Sequence, residues 1–509
     1  MNSFASTVSS SDRQSALYAR ISDAHQRLAK KDPTIWGPDA VAEATIRLNW
    51  VDLPEQSRDL LPTVDALAAK HRDKKYVVLA GMGGSSLGPE VIAQTYQKQL
   101  FILDSTDPHY LQNALSAKLE ETLVIVSSKS GSTIETASAR AFFAQKFERA
   151  GLALSNHMII VTDPGSPLDK ESREQGLSVI NADPHVGGRF SVLSAFGLVP
   201  SALIGVDISI LLDSASDAKS AFLNSPQAML DCAYLLATAG QYLTFTDENC
   251  GMPGLSDWIE QLVAESTGKN QVGRLPVVVE NSHEGSEGNP LRISFTGGAD
   301  CVVLGDLGAQ FITWEWLTAL VGAALEIDPF NQPNVTEAKE QTSALLTEWS
   351  GNLPTYEAEI TDRSIAIFGK GNSVLACLQV FISNIPKDGY IAIMAYLDRT
   401  NDVAVAELRK ILAQKSGRPV TFGWGPRFLH STGQFHKGGQ RNGAFLQITG
   451  ACDIDFKIPD KNFGFETLLM AQALGDGRAL ESRSYPLLRL HLNSRRNGIG
   501  ELLEAARQL

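Results

Sequence analysis

The strongest chemical signal in the sequence is a cluster of hydroxyl groups and one ammonium group between Ser127 and Thr133. The segment reads S-S-K-S-G-S-T, and it follows a short apolar run and precedes a stretch with helical spacing. Hydroxyls, an ammonium group and the free N–H groups of a helix N-terminus all donate to phosphate oxygens. The segment therefore predicts a site for a phosphate monoester, although a polar segment that only caps the helix would look similar. The predicted phosphate-binding residues are Ser128, Lys129, Ser130 and Thr133.

A glycine-rich turn at Gly81–Pro89 precedes this loop and reads G-M-G-G-S-S-L-G-P. Glycines allow backbone N–H groups to approach a ligand closely, so we predict that Gly84 and Ser85 help to bind the substrate. By itself the turn could be an ordinary strand-to-helix connection. Its spacing is neither the dinucleotide G-x-G-x-x-G nor the nucleotide G-x-x-x-x-G-K-[ST] pattern, so no nucleotide cofactor is expected.

Glu265 and Arg189 could carry proton transfer and charge stabilisation. Ser256 can cap a helix on which Gln261 and Glu265, four residues apart, share a face, and Gly268 can end that helix. The dipole at a helix C-terminus modestly favours a protonated carboxyl group, which suits a general base. The guanidinium of Arg189, which follows two glycines, could be free to reach a ligand and stabilise negative charge on it. Taken alone, a solvated surface glutamate and a loop-bracing arginine would explain both residues.

These segments together resemble sugar isomerase (SIS) domains and, more closely, the glucose-6-phosphate isomerase family. The hydroxyl cluster is similar to the SIS phosphosugar loop S-x-S-G-x-T, and Gly187–Ser191 is similar to the family's G-G-R-[FY]-S. Gln261–Lys269, Phe330–Lys339 and His430–Gln434 resemble its catalytic-glutamate, F-D-Q-x-G-V-E-x-x-K and catalytic-histidine segments. The resemblance runs from about residue 45 to residue 509. From about residue 360 it is closest to the isomerase half of transaldolase/glucose-6-phosphate isomerase fusion proteins.

The resemblance implies reversible aldose–ketose isomerisation of D-glucose 6-phosphate and D-fructose 6-phosphate through a cis-enediolate, without a cofactor. It implies catalytic roles for Glu265, His430, Lys339 and Arg189. It implies hydroxyl binding by Gln261 and Gln332. A dual phosphoglucose/phosphomannose isomerase and a non-catalytic phosphosugar-binding regulator are the alternatives; Glu265 and Arg189 together favour an enzyme.

Two departures from the family pattern affect the histidine and lysine segments. Asn334–Thr336 replaces the family's G-V-E, and the segments occur in the order Glu265, Lys339, His430. Most members place the histidine segment between the other two, and the histidine typically enters the site from a neighbouring subunit. A homodimer is therefore implied, but the changed order leaves open a monomer with a complete site.

The elements that must position these residues alternate between strands and helices. This alternation predicts an α/β protein with two SIS-type three-layer α/β/α sandwiches and parallel sheets. We predict an N-terminal helical arm (1–50), a first SIS domain (51–205), a helical connection that carries Glu265 (206–275) and a second SIS-like domain (276–509). The expected strands are Tyr76–Ala80, Phe101–Leu103, Thr122–Val126, His157–Val161, Pro276–Glu280, Ser364–Phe368, Tyr390–Ala395 and Ala444–Ile448.

Composition excludes several other classes of protein. The chain has 509 residues and a net charge of −13, which disfavours general affinity for nucleic acid or anionic membranes. Its five cysteines lie far apart without a C-x-x-C pair, so neither a zinc site nor another metal site is expected. The sequence lacks a signal-peptide pattern and any apolar run of about 18 residues. We therefore predict a cytoplasmic protein whose partner is a phosphorylated hexose.

Overall fold

The computed structural model describes residues 5–8, 11–354, 358 and 360–509 of the chain. Three β-sheets with helices packed around them form the protein. The predicted α/β class is confirmed. Ten of the thirteen strand pairings among the described residues are parallel, as predicted, and three are antiparallel.

The strands are β1 Ala5–Val8, β2 Tyr76–Gly81, β3 Phe101–Leu103, β4 Thr122–Ser127, β5 Met158–Thr162, β6 Ser178–Asn181, β7 Tyr242–Phe245, β8 Leu275–Val278, β9 Leu291–Ser294, β10 Cys301–Leu304, β11 Ile360–Asp362, β12 Ile365–Phe368, β13 Tyr390–Tyr396, β14 Val420–Trp424, β15 Gly443–Gly450 and β16 Leu487–Leu492.

The α-helices are α1 Ala16–Leu28, α2 Val41–Thr45, α3 Leu53–Gln56, α4 Leu61–Lys70, α5 Leu87–Thr95, α6 Pro108–Ala114, α7 Ile134–Arg149, α8 Pro167–Glu174, α9 Ala195–Leu203, α10 Ile208–Asn224, α11 Gln227–Thr238, α12 Leu255–Thr267, α13 Leu307–Leu325, α14 Thr336–Glu348, α15 Val374–Ser383, α16 Glu407–Ser416, α17 Gly433–Gly438, α18 Phe465–Glu481 and α19 Arg495–Arg507.

The first sheet has the strand order β3–β2–β4–β5–β6 and is parallel throughout. Every residue of β4 is buried, as in parallel strands covered by helices on both faces. The four strands predicted in this region are confirmed to within one residue at each end. Because β2 and β4 are neighbours and parallel, the glycine-rich turn and the hydroxyl loop that follow them lie at the same edge of the sheet.

The last sheet has the order β11–β12–β16–β15–β13–β14. The strands predicted at Ser364–Phe368, Tyr390–Ala395 and Ala444–Ile448 are found at β12, β13 and β15. The four strands from β16 to β14 are mutually parallel, whereas β12 runs antiparallel to both β11 and β16.

A middle sheet, with the order β1–β10–β9–β7–β8, was not foreseen from the sequence. The strand predicted at Pro276–Glu280 is β8 and lies in this sheet rather than in a second sandwich. Strand β7 interrupts the segment 206–275 that was expected to be mostly helical, and β1 in the first 50 residues pairs antiparallel with β10. These strands have only four residues each, too few for a hydrophobic period to separate them from loop or helix.

The largest apolar core surrounds α13, whose residues are buried from Leu307 to Ala324. Residues of the first 50 also belong to this core: Ile21, Leu28 and Trp50 are fully buried. The N-terminal segment therefore packs into the body of the protein. No helix within the described ranges is both long and apolar enough to cross a membrane.

Candidate active site

The hydroxyl loop leaves β4 and enters α7 through a tight turn. The N–H of Gly131 donates to Ser128 Oγ over 3.1 Å, and the Oγ atoms of Ser130 and Ser132 lie 2.7 Å apart. Gly131 has a φ of +76°, and a Cβ there would lie 2.4 Å from Leu168 Cβ, so both backbone and packing require glycine. The loop presents the exposed Ser130 and the half-buried Thr133 to solvent, as phosphate binding would need.

Lys129 in this loop is not a free cation. Its Nζ lies 2.7 Å from Asp163 Oδ2 and 3.2 Å from the carbonyl oxygen of Pro184. Burial raises the pKa of Asp163, whereas the hydrogen bond and charge of Lys129 act to lower it. The ammonium group predicted to bind phosphate therefore already has a carboxylate partner.

The glycine-rich turn after β2 brings several backbone segments into close contact. A Cβ at Gly83 would lie 2.8 Å from both Gln261 Nε2 and the carbonyl oxygen of His430. A Cβ at Gly84 would lie 1.9 Å from the carbonyl oxygen of Gly188, closer than a Cβ atom can come to an oxygen. The glycines thus let the turn meet the segments that carry Arg189, Gln261 and His430. Ser85, predicted to bind phosphate, is half-buried in this turn.

Helix α12 carries Gln261 and Glu265, but its start differs from the prediction. Gly254 is the N-cap, and Ser256 lies within the first turn. The carboxylate of Asp247 accepts from the N–H groups of Gly254 and Ser256 and from Ser256 Oγ, over 2.7, 2.9 and 2.6 Å. A carboxylate from outside the helix therefore supplies the cap that was assigned to Ser256. The predicted end at Gly268 is confirmed.

Arg189 and Glu265 form a buried ion pair, with 3.2 Å between Nη1 and Oε1. The guanidinium also donates to Ser266 Oγ over 2.8 Å and to the carbonyl oxygens of Pro329 and Asn331. We expected a guanidinium free to reach a ligand; instead, it is buried among protein acceptors because its loop packs against α12. The pair places a fixed positive charge beside the carboxylate predicted to be the base.

Gln261 links Glu265 to the histidine segment. Its Nε2 lies 3.2 Å from Glu265 Oε2 and 2.8 Å from the carbonyl oxygen of His430. Its buried Oε1 has no hydrogen-bond partner among the residues described. An unpaired buried acceptor is satisfied when a ligand supplies a hydroxyl, which fits the predicted hydroxyl-binding role.

His430 is held by a residue that the sequence reading missed. Its Nε2 lies 2.9 Å from Glu135 Oε1, and the same oxygen accepts from Gln472 Nε2 over 2.6 Å. Burial alone raises the pKa of a carboxylic acid, but the charge and hydrogen bond of His430 outweigh it, so the pKa of Glu135 lies below its usual 4.5. Glu135 lies two residues after Thr133, and its place in the first turn of a predicted helix beside the phosphate loop was the available signal.

A cavity of about 270 Å³ joins the hydroxyl loop to the histidine and lysine segments. The predicted site residues that line it are Ser130, Thr133, Lys339 and His430. Lys339 projects from α14 and is exposed. A second lysine that the prediction missed, Lys437, lies in the wall and pairs with buried Asp476 over 2.5 Å.

Other predicted residues do not line this cavity. Glu265 and Arg189 lie outside its lining and reach it through Gln261 and His430. Gln332 is exposed in the loop before α14, next to the Asn331 carbonyl group that accepts from Arg189. The structure thus brings the predicted residues into one region but not into one continuous surface.

One cluster of potential metal ligands occurs within the described ranges, away from this cavity. Asp107, His109 and Cys452 place ligand atoms within 4.8 Å of one another. Arg495 already occupies the position of a cation there, with 2.8 Å to Asp107 Oδ2 and 3.0 Å to Cys452 Sγ. These residues fit an ion pair better than a metal ion.

Comparison with known proteins confirms the resemblance over part of the chain. Residues 51–269 match the family described as "Phosphoglucose isomerase". Glucose-6-phosphate isomerases from Campylobacter jejuni and Citrifermentans bemidjiense are 34% and 35% identical over 231 and 263 residues. These alignments cover 41% and 46% of this chain and 55% and 48% of the relatives. The chain therefore spans about half the length of the curated relatives it matches.

A solved structure of a glucose-6-phosphate isomerase from Chlamydia trachomatis has a similar fold. Its TM-score is 0.55 at 19% identity, with 69% of this chain and 90% of that chain covered. The matched family segment contains the glycine-rich turn, the hydroxyl loop, Arg189 and Glu265, whereas Lys339 and His430 lie beyond it. The resemblance is thus confirmed for the part of the chain that holds the ion pair and the phosphate loop.

Proposed function

We propose that this protein interconverts D-glucose 6-phosphate and D-fructose 6-phosphate by moving a proton between C1 and C2 of the sugar. The observation that carries the proposal is the position of Gln261, which contacts both the Glu265 carboxylate and the His430 backbone. It joins a candidate base to a candidate acid beside a loop of phosphate-binding character. The family match over residues 51–269 supports the same reaction.

The hydroxyl loop would bind the sugar phosphate. Ser130 and Thr133 line the cavity. Lys129, which pairs with Asp163, would contribute its ammonium group to the phosphate. A phosphate here would also meet the N-terminus of α7, whose positive dipole end favours anions. Ser128 of the same loop, and Gly84 and Ser85 of the glycine-rich turn after β2, would complete this end of the site.

Ring opening and proton transfer would use different residues. His430, oriented by Glu135, and Lys339 would move the protons that open the sugar ring. Glu265 would then take the proton from C2 of the aldose and return it to C1, giving the ketose through a cis-enediolate. Arg189, 3.2 Å from that carboxylate, would stabilise the negative charge of the enediolate. Gln261 and Gln332 would bind sugar hydroxyls. In all of these reaction steps the protein side chains transfer only protons.

The site would be complete within one chain. His430 meets Glu135 and Gln261 of the same chain, so no residue from a partner is needed to place it. A homodimer, as the family resemblance implies, would then leave the two sites independent. The five free cysteines fit the reducing cytoplasm that we propose as the location.

A coupled assay of the purified protein tests the proposal. Fructose 6-phosphate should be converted to glucose 6-phosphate, while unphosphorylated fructose should not react. Conversion of mannose 6-phosphate as well would indicate the dual phosphoglucose/phosphomannose isomerase. Absence of turnover with every sugar phosphate would indicate a non-catalytic phosphosugar-binding protein. Replacing Lys129 and Ser130 with alanine should raise KM for fructose 6-phosphate, whereas the exposed Lys170→Ala control should not.

A further inference from the structure

A second cavity of about 220 Å³ lies between the last sheet and α18. Side chains two residues apart on a strand point to the same face of a sheet. One wall of this cavity consists of such pairs of residues on three neighbouring strands. Its residues are Ala366 and Phe368 of β12, Arg489 and His491 of β16, and Gln447 and Thr449 of β15. Glu466, Met470 and Leu474 of α18 form the opposite wall.

The sheet wall carries a guanidinium, that of Arg489, for which the described residues supply no carboxylate partner. The guanidinium of Arg489 lies 5.0 Å from the centre of the Phe368 ring and forms no ion pair with any carboxylate in the described part of the chain. On the opposite wall, burial raises the pKa of the Glu466 carboxyl group, and burial also lowers the pKa of the His491 imidazole. The His491 ring is further held by Thr449, with 2.9 Å between Nδ1 and Oγ1. An anion is therefore the ligand that this cavity favours.

Gln447 places an unpaired hydrogen-bond acceptor in the same wall. Its side chain is 1% exposed, and its Nε2 donates to the carbonyl oxygen of Ala473 over 2.8 Å. Its Oε1 has no partner among the described residues, although buried acceptors are normally paired. A ligand hydroxyl would satisfy this oxygen. The Phe368 ring and the Met470 and Leu474 side chains leave the remaining wall apolar.

Helix α18 separates this cavity from the candidate active site. Glu466, Met470 and Leu474, each four residues apart, share the face toward the second cavity. Gln472 lies on the other side, where it donates to Glu135, the partner of His430. A ligand that moved α18 would therefore also move Gln472, which donates to the carboxylate that pairs with His430.

We propose that this second cavity binds a small organic carboxylate that carries a hydroxyl group and an apolar or planar body. The carboxylate would pair with Arg489, the hydroxyl would donate to Gln447, and the body would lie against Phe368 and Met470. Since a water takes about 30 Å³, the cavity holds about seven waters or a small organic molecule of that size. We further assign the cavity a regulatory role, which rests on the proposed isomerase function.

Calorimetric titration of the full chain with 4-hydroxybenzoate, in the presence of saturating fructose 6-phosphate, tests the binding. The wild type should bind one equivalent, and Arg489→Gln should bind at least tenfold more weakly. Arg496→Gln, an exposed arginine on α19, should bind as the wild type does. Benzoate, which lacks the hydroxyl, and 4-hydroxybenzamide, which lacks the charge, should each bind more weakly. Equal affinity in Arg489→Gln, or no binding to the wild type at 10 mM, would overturn the proposal.

A spectroscopic measurement keeps the test valid if Arg489→Gln does not fold. In protein labelled with ¹³C at the methionine methyl groups, 4-hydroxybenzoate should shift the resonance of Met470, identified with Met470→Leu. Shifts that leave Met470 unchanged would place the probe elsewhere and overturn the site. For the regulatory role, 4-hydroxybenzoate should change fructose 6-phosphate turnover in the wild type but not in Arg489→Gln. Binding of 4-hydroxybenzoate without any change in turnover would overturn the regulatory role alone. If the wild type showed no turnover even without 4-hydroxybenzoate, the proposed isomerase function would be wrong instead.

Discussion

Nε2 of His430 lies 2.9 Å from Oε1 of Glu135, and the two residues are 295 positions apart in one chain. The contact joins the first turn of α7, which follows β4 of the first sheet, to the segment between β14 and β15 of the last sheet. Gln472 of α18 braces the same carboxylate oxygen. The position of the candidate acid therefore depends on packing among three distant parts of the sequence.

Glu135→Gln should lower kcat for fructose 6-phosphate by about 10²-fold, the lower end of what acid–base catalysis contributes. The amide keeps the shape but loses the charge that orients His430, so KM should change little. Steady-state kinetics separate the two constants. Glu148→Gln, which is exposed near the end of the same helix, should match the wild type. A change in KM with kcat unchanged would show that Glu135 acts in binding instead.

The stabilising effect of Glu135 should depend on pH. The folded pKa lies below the usual 4.5, so the contribution of this carboxylate is present above pH 4.5 and is lost as the pH falls through the folded value. Wild type should thus be more stable than Glu135→Gln at pH 7, and the difference should shrink below pH 4.5. Denaturant titrations at pH 7, 5 and 3.5 measure the free energy of unfolding. A difference that grows toward acid pH would contradict the assigned pair.

Gly84→Ala should destabilise the protein and reduce turnover strongly. The new Cβ would lie 1.9 Å from the carbonyl oxygen of Gly188, so the backbone that carries Arg189 must move. Overpacking of this kind costs about 1–3 kcal/mol. Gly187→Ala, whose Cβ would have its nearest neighbour at 4.0 Å, provides the comparison. The melting temperature and kcat should fall in Gly84→Ala but not in Gly187→Ala. A wild-type melting temperature and kcat for Gly84→Ala would contradict the close approach of Gly84 to Gly188.

Mixing two inactive variants should restore no activity. If the site is complete in one chain, neither Glu265→Gln nor His430→Ala can supply what the other lacks. The two proteins are mixed, dissociated and reassociated before the coupled assay, with light scattering to report the oligomeric state. Recovery of turnover in the mixture would show that His430 crosses between subunits.

The sequence predicted the parts of the site that depend on local pattern. The loop from Ser127 to Thr133 and the strands of the first sheet follow from hydroxyl content and apolar runs, and the structure places them as expected. The burial of Arg189 could not be predicted, because it depends on the carbonyl groups of Pro329 and Asn331 far along the chain.

Other features were missed because they depend on tertiary contacts. Asp247 caps α12 from a distance, so the local pattern pointed to Ser256 instead. Glu135 looked like any first-turn glutamate until His430 was placed beside it. The middle sheet assembles four-residue strands from separate parts of the chain, and β1 joins it only by pairing with β10. Short strands with distant partners carry little signal in sequence.

Turnover by Glu265→Gln, measured together with sugar-phosphate binding, tests the central claim most directly. The variant keeps the shape of the side chain next to Arg189 but cannot accept a proton. We predict that kcat falls by about 10²–10⁴-fold while fructose 6-phosphate still binds. Turnover equal to that of the wild type would contradict the assignment of Glu265 as the base.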